Sequence, residues 1–278
     1  MTRKTTRKAP GAALGSTFRW HKRVLRPDEA VRYIDAAGFC MLFPVQNVPL
    51  PSLYYAITHR NPALDFKWDR YAEMLWKWKG SLPKRKLAFY AKYFRGRGTF
   101  ISLGQLPNFL AMRETAVAPG DYDKFYSAGR ISDHARTIWE ALSTHGTLAT
   151  LELRHACKMG TLAGNKRFKR AMAELQGLLV VVHFGTEQEI SSWPSGKFEL
   201  TCRAFPAETA AAREIAAEAA RCALGAKFME LCPGAALEVV ARLFGWSKAE
   251  AQAALAPAAD AGADAPIAAP MTRTAANI

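Results

Sequence analysis

Several features that would fix the chemistry at once are missing from this sequence. No apolar run approaches the roughly 20 residues that a membrane-spanning helix needs, and no apolar signal-peptide core follows the basic N-terminal segment. The chain therefore reads as soluble and cytoplasmic, with no membrane partner. No Cys-x-x-Cys occurs. The five cysteines (Cys40, Cys157, Cys202, Cys222 and Cys232) are odd in number, scattered, and distant from any histidine pair at zinc spacing. They read as buried thiols in a reducing compartment, and neither a metal nor another cofactor is expected. His-Glu-x-x-His, a nucleophile elbow, a carboxylate-rich metal loop and the phosphate-cradling G-x-x-x-x-G-K-S/T pattern are all absent. The six histidines are dispersed, and His183, inside an apolar run, is expected to be a satisfied edge or core residue.

Acidic residues are also scarce. Against 38 Lys and Arg there are 24 Asp and Glu, a formal charge of +14, and the first 26 residues hold eight basic side chains and no acid. Such a surplus concentrates polyanions around the chain and releases counterions when it meets phosphates. Nucleic acid is the leading partner, ahead of an anionic membrane or an acidic protein. Half of the residues are apolar and 11% aromatic, enough for ordinary cores, and the length suggests about two or three small domains.

Along the chain, residues 1–26 read as a basic arm, expected to be disordered to about Phe18. From Pro27 the pattern turns helical: Pro27 suits a first helical position, Asp28 and Glu29 favour the helix dipole, and Gly38 stops the run. Further helices are expected over 52–58, 68–79, 84–94 and 105–113, giving a mostly helical N-terminal domain over 27–127. The stretch 84–97 carries six Lys or Arg without an acid, interleaved with Phe89, Tyr90, Tyr93 and Phe94. Leu87, Tyr90 and Phe94 read as a core stripe at helical spacing, while Lys84, Arg85, Lys86, Arg95 and Arg97 remain available to backbone phosphates.

The most informative stretch is 128–205. Ser132 is a good N-cap for a helix bearing Ala135, Ile138, Trp139 and Leu142, ended by Gly146. A short extended step and a short helix through Cys157 follow. After a loop containing Gly160 and Gly164, Asn165 is expected to cap a helix over 166–176, with Phe168, Met172 and Leu175 as its apolar stripe and Gly177 as its stop. Runs at 178–184 and 197–202 read as two strands around a polar turn. Helix, short strand, helix, helix, strand, wing and strand is the order of a winged helix. Its third helix would be the recognition helix, presenting Asn165, Lys166, Arg167, Lys169 and Arg170 to the major groove. The wing, roughly 185–197, contains Lys197 and Trp193; the latter either wedges into a minor groove or covers the domain edge.

Residues 206–256 read as an Ala-rich helical unit ending in a second helix–turn–helix-like pair, with Gly245 in the turn and Ser247 as N-cap. A disordered Ala/Pro/Asp-rich tail is expected over 257–278. The fold class is thus mainly α with a small β component, in tandem winged helix–turn–helix units with one complete wing.

Two segments resemble the AlkZ-like family of bacterial DNA glycosylases, which are built from tandem winged helices: ARTIWEAL at 135–142 through the hairpin, and LEVVARLFGW at 237–246 with the helix after it. The resemblance implies DNA binding. The family excises alkylated or cross-linked bases with a polar Gln-x-Gln or Gln-x-Asp pair just after its first glycine-ended helix. Here Met41 and Phe43 occupy those positions, with Gln46-Asn47 nearby. The favoured function is non-catalytic binding of double-stranded DNA, intact or damaged, in a nucleoid-associated protein. The alternatives are a glycosylase using Gln46 or Asp35, and a protein-interaction adaptor.

Overall fold

In the computed structural model, the described residues are 16–60, 68–188 and 194–256. They form α1 (Pro27–Ala37), β1 (Phe39–Met41), α2 (Leu53–Thr58), α3 (Arg70–Lys84), β2 (Phe89–Lys92), a 3-10 turn (Phe94–Gly96), β3 (Gly98–Ile101), α4 (Leu106–Arg113) and α5 (Tyr122–Ser127). Next come α6 (Asp133–His145), β4 (Leu148–Ala149), α7 (Thr150–Ala156), α8 (Leu162–Gly177), β5 (Val181–Glu187) and β6 (Ser195–Leu200). The chain continues with α9 (Thr201–Ala204), α10 (Pro206–Arg213), α11 (Ala217–Leu231), α12 (Leu237–Phe244) and α13 (Lys248–Leu255). The protein is mainly α with two small antiparallel sheets, ordered β1-β3-β2 and β4-β6-β5. Among the described residues no helix is long and apolar enough to cross a membrane. The basic arm to residue 15, Trp193 and the tail from 257 lie outside the described residues.

Local chemistry explains most boundaries. The Glu29 carboxylate accepts from the backbone N–H groups of Leu25 and Arg26 at 2.8 and 3.1 Å, and Gly38 ends α1 with a φ of 76°. Ser132 caps α6 by accepting from Ala135, and Gly146 ends that helix with a φ of 80°. Ser247 caps α13 in a capping box with Glu250.

Two expected helices are different. The segment 84–94 does not continue as a helix. α3 runs to Lys84, Lys86 turns left-handed, and the Leu87 N–H donates to the Leu82 carbonyl, a bond that closes a helix end. Phe89–Lys92 then pairs antiparallel with Gly98–Ile101 as β2. The aromatic spacing of Tyr90 and Phe94 serves a strand and its turn rather than a helical stripe. Lys84, Arg85 and Lys86 sit at the end of α3, where positive charge complements the helix dipole.

The third helix of the 128–205 stretch begins one turn earlier than expected. Its cap is Thr161, whose Oγ1 accepts from Gly164 at 3.1 Å, and Asn165 is already inside the helix, with its N–H on the Thr161 carbonyl. Gly164 is not a loop glycine. A Cβ there would stand 2.8 Å from the Met159 carbonyl, so the first turn of α8 needs glycine for close packing.

Two buried clusters result. One joins residues between Val24 and Met112 to Ala204–Ala254, so the C-terminal helices share the core of the N-terminal sheet. Phe244 of α12 packs edge-on against Phe39 and Phe94, at ring centroid distances of 6.0 and 5.4 Å. The other cluster, between Val117 and Leu200, holds Trp139, Leu142, Phe168, Met172 and Leu175 together. Trp139 is fully buried and donates from Nε1 to the Pro119 carbonyl at 2.9 Å. Glu174 ties α8 to α6 by accepting from the N–H and Oγ of Ser132, both at 2.7 Å. Not all cysteines are buried: Cys40, Cys157 and Cys232 are, Cys202 is half-buried, and Cys222 is exposed on α11. The exposed Cys222 Sγ still reaches the Ala253 carbonyl of α13 at 3.9 Å.

Candidate nucleic-acid interface

The two clusters meet around a cleft of about 990 Å³. Its walls come from seven places: residues 42–47 after β1, Trp76 and Lys79 of α3, Tyr90 and Lys92 of β2, residues 95–98, Thr150 of α7, lining residues between 168 and 176 of α8, and His183, Gly196 and Phe198 of the second sheet. A buried Gln176 fastens α8 to the edge of β2. Its Oε1 accepts from the Lys92 N–H at 3.0 Å while its Nε2 donates to the Met172 carbonyl at 3.2 Å. That edge is thus covered rather than left open.

The lining is cationic. Lys79, Lys92, Arg95, Arg97 and Lys169 contribute to it, and no Asp or Glu does among the described residues. Arg95, Arg97 and Lys169, far apart in sequence, are brought to one opening. Lys166, Arg167 and Arg170 are exposed on α8 with no ion-pair partner among the described residues, which extends the positive surface away from the cleft. Asn165 is half-buried on the same helix. The other expected contacts lie elsewhere. Lys84, Arg85 and Lys86 are exposed but do not line the cleft. Lys197 is paired with Glu187 across the β5–β6 hairpin.

The two positions expected to stand where the polar pair would be differ in fate. Met41 is fully buried in the core, with the Thr99 hydroxyl pointing at its sulfur, whereas Phe43 is half-buried, lines the cleft and packs against Tyr54 at 5.6 Å. Gln46 and Asn47 are exposed at the cleft rim. Asp35 lies on the outer face of α1 and does not line the cleft.

Two lining groups were not anticipated. Lys79 falls on the inner stripe of α3, four residues after the buried Leu75 and three before the buried Leu82. Its Nζ sits 3.0 Å from the centre of the Trp76 ring. Burial, and then the charge of Lys92, push its amine from the ordinary 10.5 down to about 7. That position on the apolar stripe was the signal available in the sequence. His183 is 5% exposed and stands between Tyr90 and Phe198, at ring distances of 5.8 and 5.4 Å. The expectation that it is satisfied is overturned: among the described residues neither ring nitrogen has a hydrogen-bond partner. Its neighbours are rings and the bare backbone of Gly196, where a Cβ would stand 2.7 Å from Nε2. Burial first, and the charge of Lys79 second, hold the imidazole at about 3, so it is neutral at neutral pH.

A stability prediction follows. The unfolded chain protonates this histidine below its ordinary 6.5, but the folded chain does so only near 3. The contribution of neutral His183 is therefore complete above 6.5 and lost as pH falls from 6.5 towards 3, with a slope of up to about 1.4 kcal/mol per pH unit. His183→Phe is expected to flatten that slope in urea unfolding across the same window. An unchanged slope would assign the acid sensitivity to other groups.

No curated protein and no solved structure matches this chain at the level of significance required. A family model described as AlkZ related matches residues 24–245, from the strand-free start of the first core through the turn between α12 and α13. That span takes in the second cluster, every wall of the cleft and all of the first cluster except Trp246, Ala251 and Ala254, and the chain belongs to the AlkZ-related family.

Proposed function

We propose that this protein binds double-stranded DNA across the cleft and the adjoining face of α8 without hydrolysing N-glycosidic bonds. Membership of the AlkZ-related family supports a DNA-binding, repair-related context. The observation that carries the reading is the cleft lining, with five Lys or Arg and no Asp or Glu among the described residues. In this reading α6 to β6 act as a winged helix, with α8 as the recognition helix and Lys166, Arg167, Lys169 and Arg170 meeting phosphates and guanine edges. Arg95 and Arg97 face the same duplex from the other wall. Lys197 belongs to the wing, and Lys84, Arg85 and Lys86 make outlying phosphate contacts. Intact and damaged duplex are both expected partners, and the nucleoid the expected place of action.

The non-hydrolytic part rests on what the cleft offers to a developing sugar cation. Hydrolysis needs preorganised polar groups that stabilise that charge and orient a water. Met41 is inside the core and Phe43 presents a ring. One observation favours the second reading, an active glycosylase: Gln46 lines the rim of this same cleft. The two readings separate in one assay. Protein in excess over duplex containing N7-methylguanine is expected to shift the duplex on a native gel and to leave no abasic sites above the spontaneous rate. Release that depends on protein and disappears in Gln46→Ala would establish the glycosylase instead.

A further inference from the structure

We infer that Lys79 forms a Schiff base with the C1′ aldehyde of a ring-opened abasic site held in the cleft, an inference that rests on the DNA-binding reading above. Several independent features converge on this amine. It lines a cleft large enough for an extruded sugar and its flanking phosphates. Among the described residues it has no carboxylate partner, unlike Lys77, Lys197 and Lys227, which pair with Glu73, Glu187 and Glu230. The Trp76 ring covers one side of it, shielding the nitrogen from water. Arg95, Arg97 and Lys169 stand at the opening, where flanking phosphates would lie. His183, buried in the same lining with both nitrogens unpartnered among the described residues, has one donor and one acceptor to give to a bound polar group.

The protonation state suits the step. With its amine at about 7, Lys79 is roughly half neutral at neutral pH. An ordinary lysine is neutral in only about one part in 2,500. The neutral nitrogen adds its lone pair to C1′, and the carbonyl oxygen takes up a proton to give a carbinolamine. Loss of that oxygen as water forms the C=N bond. The sum is amine plus aldehyde giving imine plus water, with no change of oxidation state. Strand cleavage would require removal of a proton from C2′ by a base. No carboxylate lines the cleft among the described residues, and the imidazole of His183, held at about 3, is a weak base, so the imine is expected to hold the abasic strand rather than cut it.

The test uses the full chain with two duplexes, one carrying a single abasic site and one carrying a tetrahydrofuran analogue, which has no aldehyde. Borohydride reduces an imine to a stable secondary amine. Wild-type protein is expected to give a protein–strand adduct with the abasic duplex only, with the added mass on the Lys79 peptide and a rate that rises with pH around a midpoint near 7. Lys79→Arg keeps the charge but cannot form an imine. Together with Lys79→Met, it is expected to lower adduct per bound complex by about tenfold or more, with bound complex counted on the tetrahydrofuran duplex. Adduct mass on another lysine, or an unchanged yield in Lys79→Arg, overturns the inference. A chain that shifts the tetrahydrofuran duplex but traps no abasic strand overturns it while leaving DNA binding intact. A chain that shifts neither duplex overturns both.

Discussion

Leu175→Asp is expected to unfold the second core and abolish duplex binding. Leu175 is fully buried in α8 and shares its cluster with Trp139, Leu142, Phe168 and Met172. A carboxylate placed there has no counter-ion or donor within the cluster. Burying it unpaired, or protonating it to avoid that, costs several kcal/mol, against a total stability of about 5–15 kcal/mol for ordinary domains. The same helix carries Lys169 to the cleft and seals β2 through Gln176, so loss of α8 removes a wall of the proposed site. Leu175→Met, which keeps apolar character and volume, is expected to cost less than about 1.5 kcal/mol and to retain binding. Thermal melting of both variants checks the claim. A wild-type melt for Leu175→Asp would show that this side chain is not in the core.

The second large effect is electrostatic. Replacing Arg95, Arg97 and Lys169 together with Ala is expected to weaken duplex binding on the order of ten- to a hundredfold at moderate salt. The fold is expected to survive, because all three side chains are exposed and none makes an ion pair among the described residues. A matched triple at Lys84, Arg85 and Lys86, equal in charge but outside the cleft lining, is expected to cause a much smaller loss. Equal losses from the two triples in fluorescence anisotropy at one salt concentration would mean that net charge, and not the cleft, governs binding.

Much of the helical framework was legible because its ends carry their own chemistry. Pro27, Asp28 and Glu29 open α1 and Gly38 closes it, while Ser132, Gly146, Gly245 and Ser247 mark the ends of later helices. The apolar stripe of α8 was legible from Phe168, Met172 and Leu175, since three- and four-residue spacing on a helix leaves one solution. The segment 84–94 was not, because the spacing of Leu87, Tyr90 and Phe94 satisfies a helix on paper. What decides it is the left-handed Lys86 and pairing with β3, a partner that local pattern does not name. Gly164 misled in the opposite direction. A glycine needed for contact with the Met159 backbone looks, in sequence, like a loop glycine.

The proposed site was legible only in pieces. Arg95, Arg97 and Lys169 stood out as basic residues, yet nothing local says that residues 42–47, 95–98 and 168–198 share one cleft. That convergence is set by how the two clusters dock, through contacts such as Lys92 with Gln176. Lys79 was passed over because a lysine in an amphipathic helix is usually solvated, although its place between Leu75 and Leu82 puts it on the apolar stripe. His183 was rightly placed in an apolar strand, but its missing partners depend on the rings of Tyr90 and Phe198 and on Gly196, all supplied by other segments.

The central claim, that the cleft cations meet DNA phosphates, is tested most directly by the salt dependence of duplex binding. Each phosphate neutralised contributes about 0.9 to the slope of log K against log[salt]. Wild-type protein is expected to give a steep linear slope, and the Arg95, Arg97 and Lys169 triple-Ala variant a slope shallower by about two to three units. Wild-type binding that does not respond to salt, or a triple variant with the wild-type slope, would contradict the account.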